Sequence, residues 1–426
     1  MKIFKLITGL ALMALIFTQC EKDNMMDEQA DLSTKSAKGN TPLGTYTVTV
    51  ENVSTAYAFF EAGAVAIPDG ESSAGPAFPG HSFTFSFHAG PGHKLSFATM
   101  YGLSNDGFYA TGEGGFDLYS GGAPVSGDIT SEITLWDAGT QVNQMPGPGN
   151  PHNGADENGV VRTMMDANAV DMYDYGSVAT NLQASLTYNG HSMFTVTINV
   201  LGGSTTAISP VAWVVHNNGQ TPIFKEGMAD WGKGLEALAE TGNPGHLSDY
   251  LSMNSGYYSP IAPVLWVLHD KKDMPVFTED MPDYQMGLET LAETGNPGPL
   301  YESLMAAGYE TGFQTGPNTP PLFPGEMLSF TIEGHVGQSL SIASMLGFSN
   351  DIFFSTGDEG IKLSNGDDPK DLTHFIELYD AGTEVNEYPG AQTQANTVEN
   401  GTVHVVNDGL PWPEASAIIK VTIVKN

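Results

Sequence analysis

Apolar and polar residues alternate one for one in several short stretches of the chain: TYTVTVENV from Thr45, FTVTINV from Phe194, and residues 83–87, 328–332 and 418–424. A period of two puts every second side chain on one face, so each stretch predicts a half-buried β-strand. Two other stretches have helical spacing. In GLEALAETGNPG from Gly234 and GLETLAETGNPG from Gly287, the apolar positions are Leu235, Leu238 and Ala239, or Leu288, Leu291 and Ala292. Gly242 or Gly295 stands where a left-handed cap closes a helix, and Pro244 or Pro297 stands where a helix stops. The 50 glycines and 26 prolines scattered between apolar runs predict many short strands joined by turns, a mostly β protein.

The pattern repeats. Residues 95–118 read LSFATMYGLSNDGFYATGEGGFDL, and residues 340–363 read LSIASMLGFSNDIFFSTGDEGIKL, an offset of 245 residues. Phe78-Pro79-Gly80 returns as Phe323-Pro324-Gly325, LWDAGT from Leu135 as LYDAGT from Leu378, and Glu157-Asn158-Gly159 as Glu399-Asn400-Gly401. Two homologous domains are expected, 44–189 and 190–426, divided at the Tyr188-Asn189-Gly190-His191 turn, with the strand at Phe194 opening the second as that at Thr45 opens the first. Inside the second lies a 53-residue tandem duplication, about 211–251 and 264–304, in which WVVH from Trp213 returns as WVLH from Trp266. One copy reads as the domain's own element and the other as an insertion of short helices.

The N-terminal segment is of another kind. Lys2 and Lys5 precede an apolar run over residues 6–17, too short to span a bilayer comfortably, so residues 1–19 read as an export signal. Thr18-Gln19-Cys20 follows the run, and Cys20, the sole cysteine, stands in a setting that resembles the lipobox of bacterial lipoproteins. Residues 20–43 are polar and small, a flexible tether, and the acidic stretch behind Cys20 resembles the surface-export signal of Bacteroidetes lipoproteins. The expected location is the outer membrane, facing outward, with membrane attachment through the N-terminal lipid alone.

A net charge of −34 argues against nucleic acid and against docking on anionic lipid, both of which need basic footprints. It keeps a secreted protein soluble and also suits cation binding.

In order, the SND motif followed by aromatics, the W/Y-D-A-G-T motif, the E-N-G motif and the terminal V-T-I strand resemble the spondin N-terminal domain family of F-spondin and mindin. They occur once in each repeat between Thr45 and Val424. The resemblance implies two antiparallel β-sandwiches of about eight strands each, a calcium ion held by loops at one end, and no catalytic activity. The family pattern falls on Asp351, Asp380 and Glu384, with Glu333 on the preceding strand as a fourth ligand. In the first repeat it falls on Asp106, Asp137 and Gln141, with His88 where the second has Glu333. Calcium takes six to eight hard oxygens in tolerant geometry, so the first site, poorer in carboxylates, is expected to be the weaker unless Glu113 and Asp117 compensate. Taken singly, each aspartate beside Gly or Asn is also what a turn uses.

No H-E-x-x-H pair and no G-x-S-x-G elbow is present, so an enzyme is not expected. His216 and His269 end equivalent strands and read as structural histidines, and Ser104 and Ser349 as turn caps. Two functions are carried forward. The first is a calcium-rigidified adhesion or matrix-interaction module with a protein or glycan partner at the cell surface. The second is a carbohydrate-binding surface lipoprotein in which Trp136, Trp231 and Trp412 stack on sugar. A purely structural envelope protein is a weaker third.

Overall fold

A computed structural model describes residues 41–165, 172–314, 321–391 and 397–426, so the signal and lipobox readings at 1–19 and Cys20 lie outside the described residues. The described chain is mostly β, with antiparallel sheets packed face to face in the manner of a β-sandwich. Among the described residues no helix is long and apolar enough to cross a membrane.

One pair of sheets is built around Met193–Val200. This strand lies between Ser82–His88 and Leu182–Gly190, and Gly127–Asp128 completes a sheet of four. Its alternating burial turns Phe194, Val196 and Ile198 inward, beside Phe83, Phe85 and Phe87. The facing sheet runs Arg162–Thr163, Ile133–Asp137, Gly107–Thr111, His93–Met100, Val211–Asn217, Glu61–Val65, and contributes Leu95, Phe97, Tyr109 and Trp213 to the same core.

The second pair repeats the plan. Leu43–Asn52 lies between Met327–His335 and Ile419–Lys425, with Lys370–Asp371 at the edge. Facing it, Glu310–Phe313, Leu265–His269, Ser339–Met345, Ile352–Ser355, Glu377–Asp380 and His404–Val405 follow in order. Tyr46, Val48 and Val50 pack with Ile332, Leu340, Phe354 and Val421.

This pairing corrects the expected boundary at 189/190. The Thr45 strand, expected to open the first domain, is the central strand of the sheet formed by 327–335 and 419–425, whereas the Phe194 strand completes the sheet formed by 82–88 and 182–190. Both strands carry the same alternating pattern, so either fits either sheet by hydrophobicity. The tight Gly190–Ser192 turn decides the matter, because it folds Met193–Val200 straight back on Leu182–Gly190 as a hairpin.

The 53-residue duplication is likewise shared out. The first copy supplies Val211–Asn217 to the first sheet pair and the second supplies Leu265–His269 to the second, so neither is an insertion in one domain. Helices Leu235–Thr241 and Gly245–Met253 cover the outer face of the sheet that holds His93–Met100, through Leu235, Leu238, Leu247 and Leu251. Leu288–Thr294 and Gly298–Ala306 cover the sheet that holds Ser339–Met345 in the same way. Strands beneath them are covered on both faces, which is why Ser339–Met345 is buried throughout and its burial does not alternate. Gly242 and Gly295 take the expected left-handed caps, both with φ of 70°. Pro244 and Pro297 do more than stop a helix. Each stands at the N-cap of a second helix, where the N–H that proline lacks would have no acceptor.

Candidate metal centre

Strand register brings the two aspartate motifs together at one end of each sheet pair. Asp137 pairs with Gly107, next to Asp106, and Asp380 pairs with Ile352, next to Asp351. Ser104 Oγ and Ser349 Oγ cap these turns as expected, donating to Tyr101 O at 2.8 Å and Leu346 O at 2.5 Å.

In the second pair, Asp351 is buried. Its Oδ2 accepts from the Thr383 N–H at 2.7 Å, the Thr383 hydroxyl at 3.0 Å and the Glu384 N–H at 3.0 Å. Asp380 Oδ1 accepts from Gly382 N–H at 2.6 Å, and Oδ2 from Asn386 Nδ2 at 2.6 Å. Gly382 has φ of 69°, and a Cβ there would stand 2.7 Å from Thr402 N, so only glycine fits the turn. Glu399 N–H donates to Thr383 O at 2.8 Å, which lays the E-N-G loop beside the aspartates. Burial, then the nearby Asp351, push the Asp380 carboxyl up to about 6. Burial also raises Asp351, and the charge of Glu399 adds to the rise. Glu293, from helix Leu288–Thr294, is raised by burial, with Asp351 among the charges that bear on it.

The first pair has the same frame with one added cation. Asp106 Oδ2 accepts from Thr140 N–H at 2.8 Å and Gln141 N–H at 2.9 Å, and burial with neighbouring Asp137 pushes its carboxyl up to about 7. Asp137 Oδ2 accepts from Asn143 Nδ2 at 2.9 Å and from Arg162 Nε and Nη2 at 3.0 and 2.8 Å. Arg162 also reaches Glu157 at 2.9 Å. Where Arg162 pairs with Asp137 across the strands, His404 pairs with Asp380.

Asp351, Asp380 and the main chain of Glu384 therefore meet, as do Asp106, Asp137 and the main chain of Gln141. Other expected ligands do not. Glu333 is exposed on Met327–His335, opposite Thr45, and its charge acts on Glu310 of a different sheet edge. Strand alternation turns it outward. Gln141 Oε1 accepts from Asn105 Nδ2 at 3.2 Å and Gly154 N–H at 2.9 Å, so its carbonyl is committed to its own loop. The ring of His88 stacks on Tyr388 at 3.6 Å, Glu113 accepts from Glu226 N–H, and Asp117 pairs with Lys94. Sequence reasoning passed over Glu399, Asn386 and Arg162. Aligning residues 137–162 with 380–404 position by position would have exposed the exchange of arginine for histidine.

Among the described residues no three carboxylate, imidazole or thiol groups converge tightly enough to hold a metal by themselves. Several buried acceptor oxygens nevertheless have no hydrogen-bond partner. They include Asp351 Oδ1 and Asn386 Oδ1 at the second cluster, and Asp106 Oδ1, Asn143 Oδ1 and Glu157 Oε2 at the first. A buried acceptor without a donor is costly, and all five are hard oxygens of the kind calcium takes. The donor set of the second cluster fits such an ion. That of the first is already neutralised in part by Arg162.

His216 and His269 are satisfied at both nitrogens, Nε2 by Ser96 and Ser341 hydroxyls at 2.9 and 2.8 Å, Nδ1 by main-chain carbonyls. Trp136 packs on Phe224 at 4.7 Å in one core, while Trp412 packs against another, so these two tryptophans form no shared platform.

No protein-family model and no curated relative matches this chain.

Proposed function

We propose that this chain is a non-enzymatic, calcium-binding interaction protein of the spondin-like type, displayed on the cell envelope through lipid at Cys20. The observation that carries the reading is the second loop cluster, where the loop of Glu399 lies beside buried Asp351 and Asp380 and no lysine or arginine is paired with them among the described residues. Asp351, Asp380, Glu399 and the Asn386 amide oxygen are the groups to hold the ion. Bound calcium supplies the charge that these carboxylates lack in one another.

The chain's own residues then fix a surface. The loop that begins at Glu384 carries Glu387, whose carboxylate accepts from Ser192 Oγ at 2.5 Å, and Tyr388, which stacks on His88. Both contacts reach the first sheet pair, so neutralising the cluster steadies the junction between the two pairs and the loops presented there.

Calcium titration of the chain lacking residues 1–19, followed by calorimetry, tests the reading. One saturable site in the micromolar to millimolar range typical of extracellular modules is expected, lost in Asp380→Asn and in Glu399→Gln. Absence of heat and of any calcium-dependent rise in melting temperature would refute it.

A second reading, carbohydrate capture, is favoured by one observation. A cavity of about 260 Å³ near the junction is lined by Tyr57, Phe60, His93, Tyr257, Tyr258 and Phe348, the aromatic faces on which sugars stack. Glycan-array binding that is lost in Tyr258→Ala would support it over a protein partner.

A further inference from the structure

The two sheet pairs differ most where one end of the sandwich closes. In the first pair, Phe194 lies opposite Phe87 and Tyr188 in the sheet, and Tyr119 covers it. Ring centroids from Phe194 are 5.8 Å to Phe87, 5.0 Å to Tyr188 and 5.5 Å to Tyr119, a solid aromatic plug. In the second pair the same three neighbours are replaced. Tyr46 takes the place of Phe194, opposite Ile332 and Lys425, and Ser364 stands where the duplication puts Tyr119. Two tyrosine rings have become a lysine and a serine. What remains is a cavity of about 620 Å³, floored by Leu340, Leu363, Leu372 and Ile423, with half-exposed Phe375 at its mouth.

The rim carries Lys362, Lys370 and Lys425, three of only nine lysines beyond residue 40 in a chain of net charge −34. Lys370 Nζ donates to Ser364 Oγ at 2.6 Å and Lys425 Nζ to Asn365 Oδ1 at 2.5 Å. Among the described residues none of the three is ion-paired with a carboxylate, although Asp368 and Asp371 share the rim. Asp371 is engaged elsewhere, accepting from Thr373 N–H at 2.8 Å. Unpaired ammonium groups around an apolar hollow are complementary to a ligand with an anionic head and an apolar tail, and the volume is that of a small-molecule site.

We infer that the open end of the second sheet pair is a binding site for a single-chain amphiphilic carboxylate, its acyl chain between the sheets and its head among Lys362, Lys370 and Lys425. The first pair, plugged by Tyr119 and Tyr188, takes none.

Calorimetry on the chain lacking residues 1–19 tests this with sodium dodecanoate below its micelle concentration, dodecanol and dodecyltrimethylammonium. Dodecanoate should saturate one site, dodecanol should bind at least about tenfold more weakly for want of charge-assisted hydrogen bonds, and the cationic amphiphile should not bind. Ser364→Tyr, which rebuilds the plug, should abolish dodecanoate binding without lowering the melting temperature. Should that variant not fold, the surface variant Lys362→Gln/Lys370→Gln/Lys425→Gln should bring dodecanoate down to the affinity of dodecanol. The inference is overturned if dodecanoate does not saturate, if dodecanol binds equally well, or if a folded Ser364→Tyr chain binds as before. It is also overturned if the protein sediments with phosphatidylglycerol vesicles yet ignores monomeric dodecanoate.

Discussion

Arg162 Nη2 stands 2.8 Å from Asp137 Oδ2, and at the matching strand position in the second sheet pair His404 faces Asp380. One copy of the loop cluster thus brings its own cation, and the other is left with carboxylates and amide oxygens.

Installing the missing arginine should replace calcium. His404→Arg is expected to raise the melting temperature in EDTA and to remove most of the gain that calcium gives the parent. The reverse change, Arg162→Gln, strands Asp137 and should cost about 3 kcal/mol in denaturant unfolding, the usual penalty for removing one partner of a buried pair. If His404→Arg leaves the calcium response intact, the ion binds elsewhere.

Acidity provides a second check. A carboxyl whose pKa is raised on folding holds its proton more tightly folded than unfolded, so stability falls as pH rises from about 4 to the folded value. Asp380, pushed up to about 6, and Asp106, pushed up to about 7, act in that window. For Asp380 the penalty above its folded value is on the order of 3 kcal/mol. Buried His93 and His216, each lowered to about 4, work the other way, because the unfolded chain takes their protons first as pH falls below about 6.5. The calcium-dependent difference separates these trends. It should widen from pH 5 to pH 7.5 in urea unfolding, and vanish in Asp380→Asn.

The turn itself can be tested apart from its charges. Gly382→Ala puts a Cβ against Thr402 N and forces a side chain into φ of 69°. It should weaken calcium binding about tenfold or more while Asp351 and Asp380 remain, with a stability loss of about 1–2 kcal/mol. Equal calcium affinity in a folded variant would show that the turn does not set the donor geometry.

Cutting the chain at 189/190 tests the strand exchange. Residues 190–426 alone lack Leu43–Asn52 and leave Met327–His335 and Ile419–Lys425 with open edges, a template for aggregation. Co-expression with residues 41–189 should restore a soluble complex. Val48→Asp, at a fully buried position, should raise hydrogen exchange in 327–335 and 419–425 and leave 82–88 protected. Protection lost first at 82–88 would contradict the pairing.

Much of this was legible in residues alone. Period-two stretches predict the strands at 43–52, 193–200 and 419–425, repetition aligns Asp106 with Asp351 and Asp137 with Asp380, and the family resemblance is what implied that the two aspartates of each copy meet. Alternation says which face of a strand is apolar and nothing about which sheet receives it, so the exchange of the Thr45 and Phe194 strands stayed hidden. Glu333 failed for a related reason. An acidic residue was matched by order along the chain, whereas its place in the alternation of Met327–His335 turns it to solvent. Arg162 carries no ligand oxygen and Glu399 lies outside the two aspartate motifs, so a pattern of calcium ligands picks out neither.

Leu43–Asn52 is the first described strand to be made, yet its neighbours are Met327–His335 and Ile419–Lys425. During synthesis it emerges hundreds of residues before either partner exists. The second sheet cannot close on a partial chain. Whatever keeps that early apolar strand from pairing elsewhere while the rest is made must act on the unfinished protein.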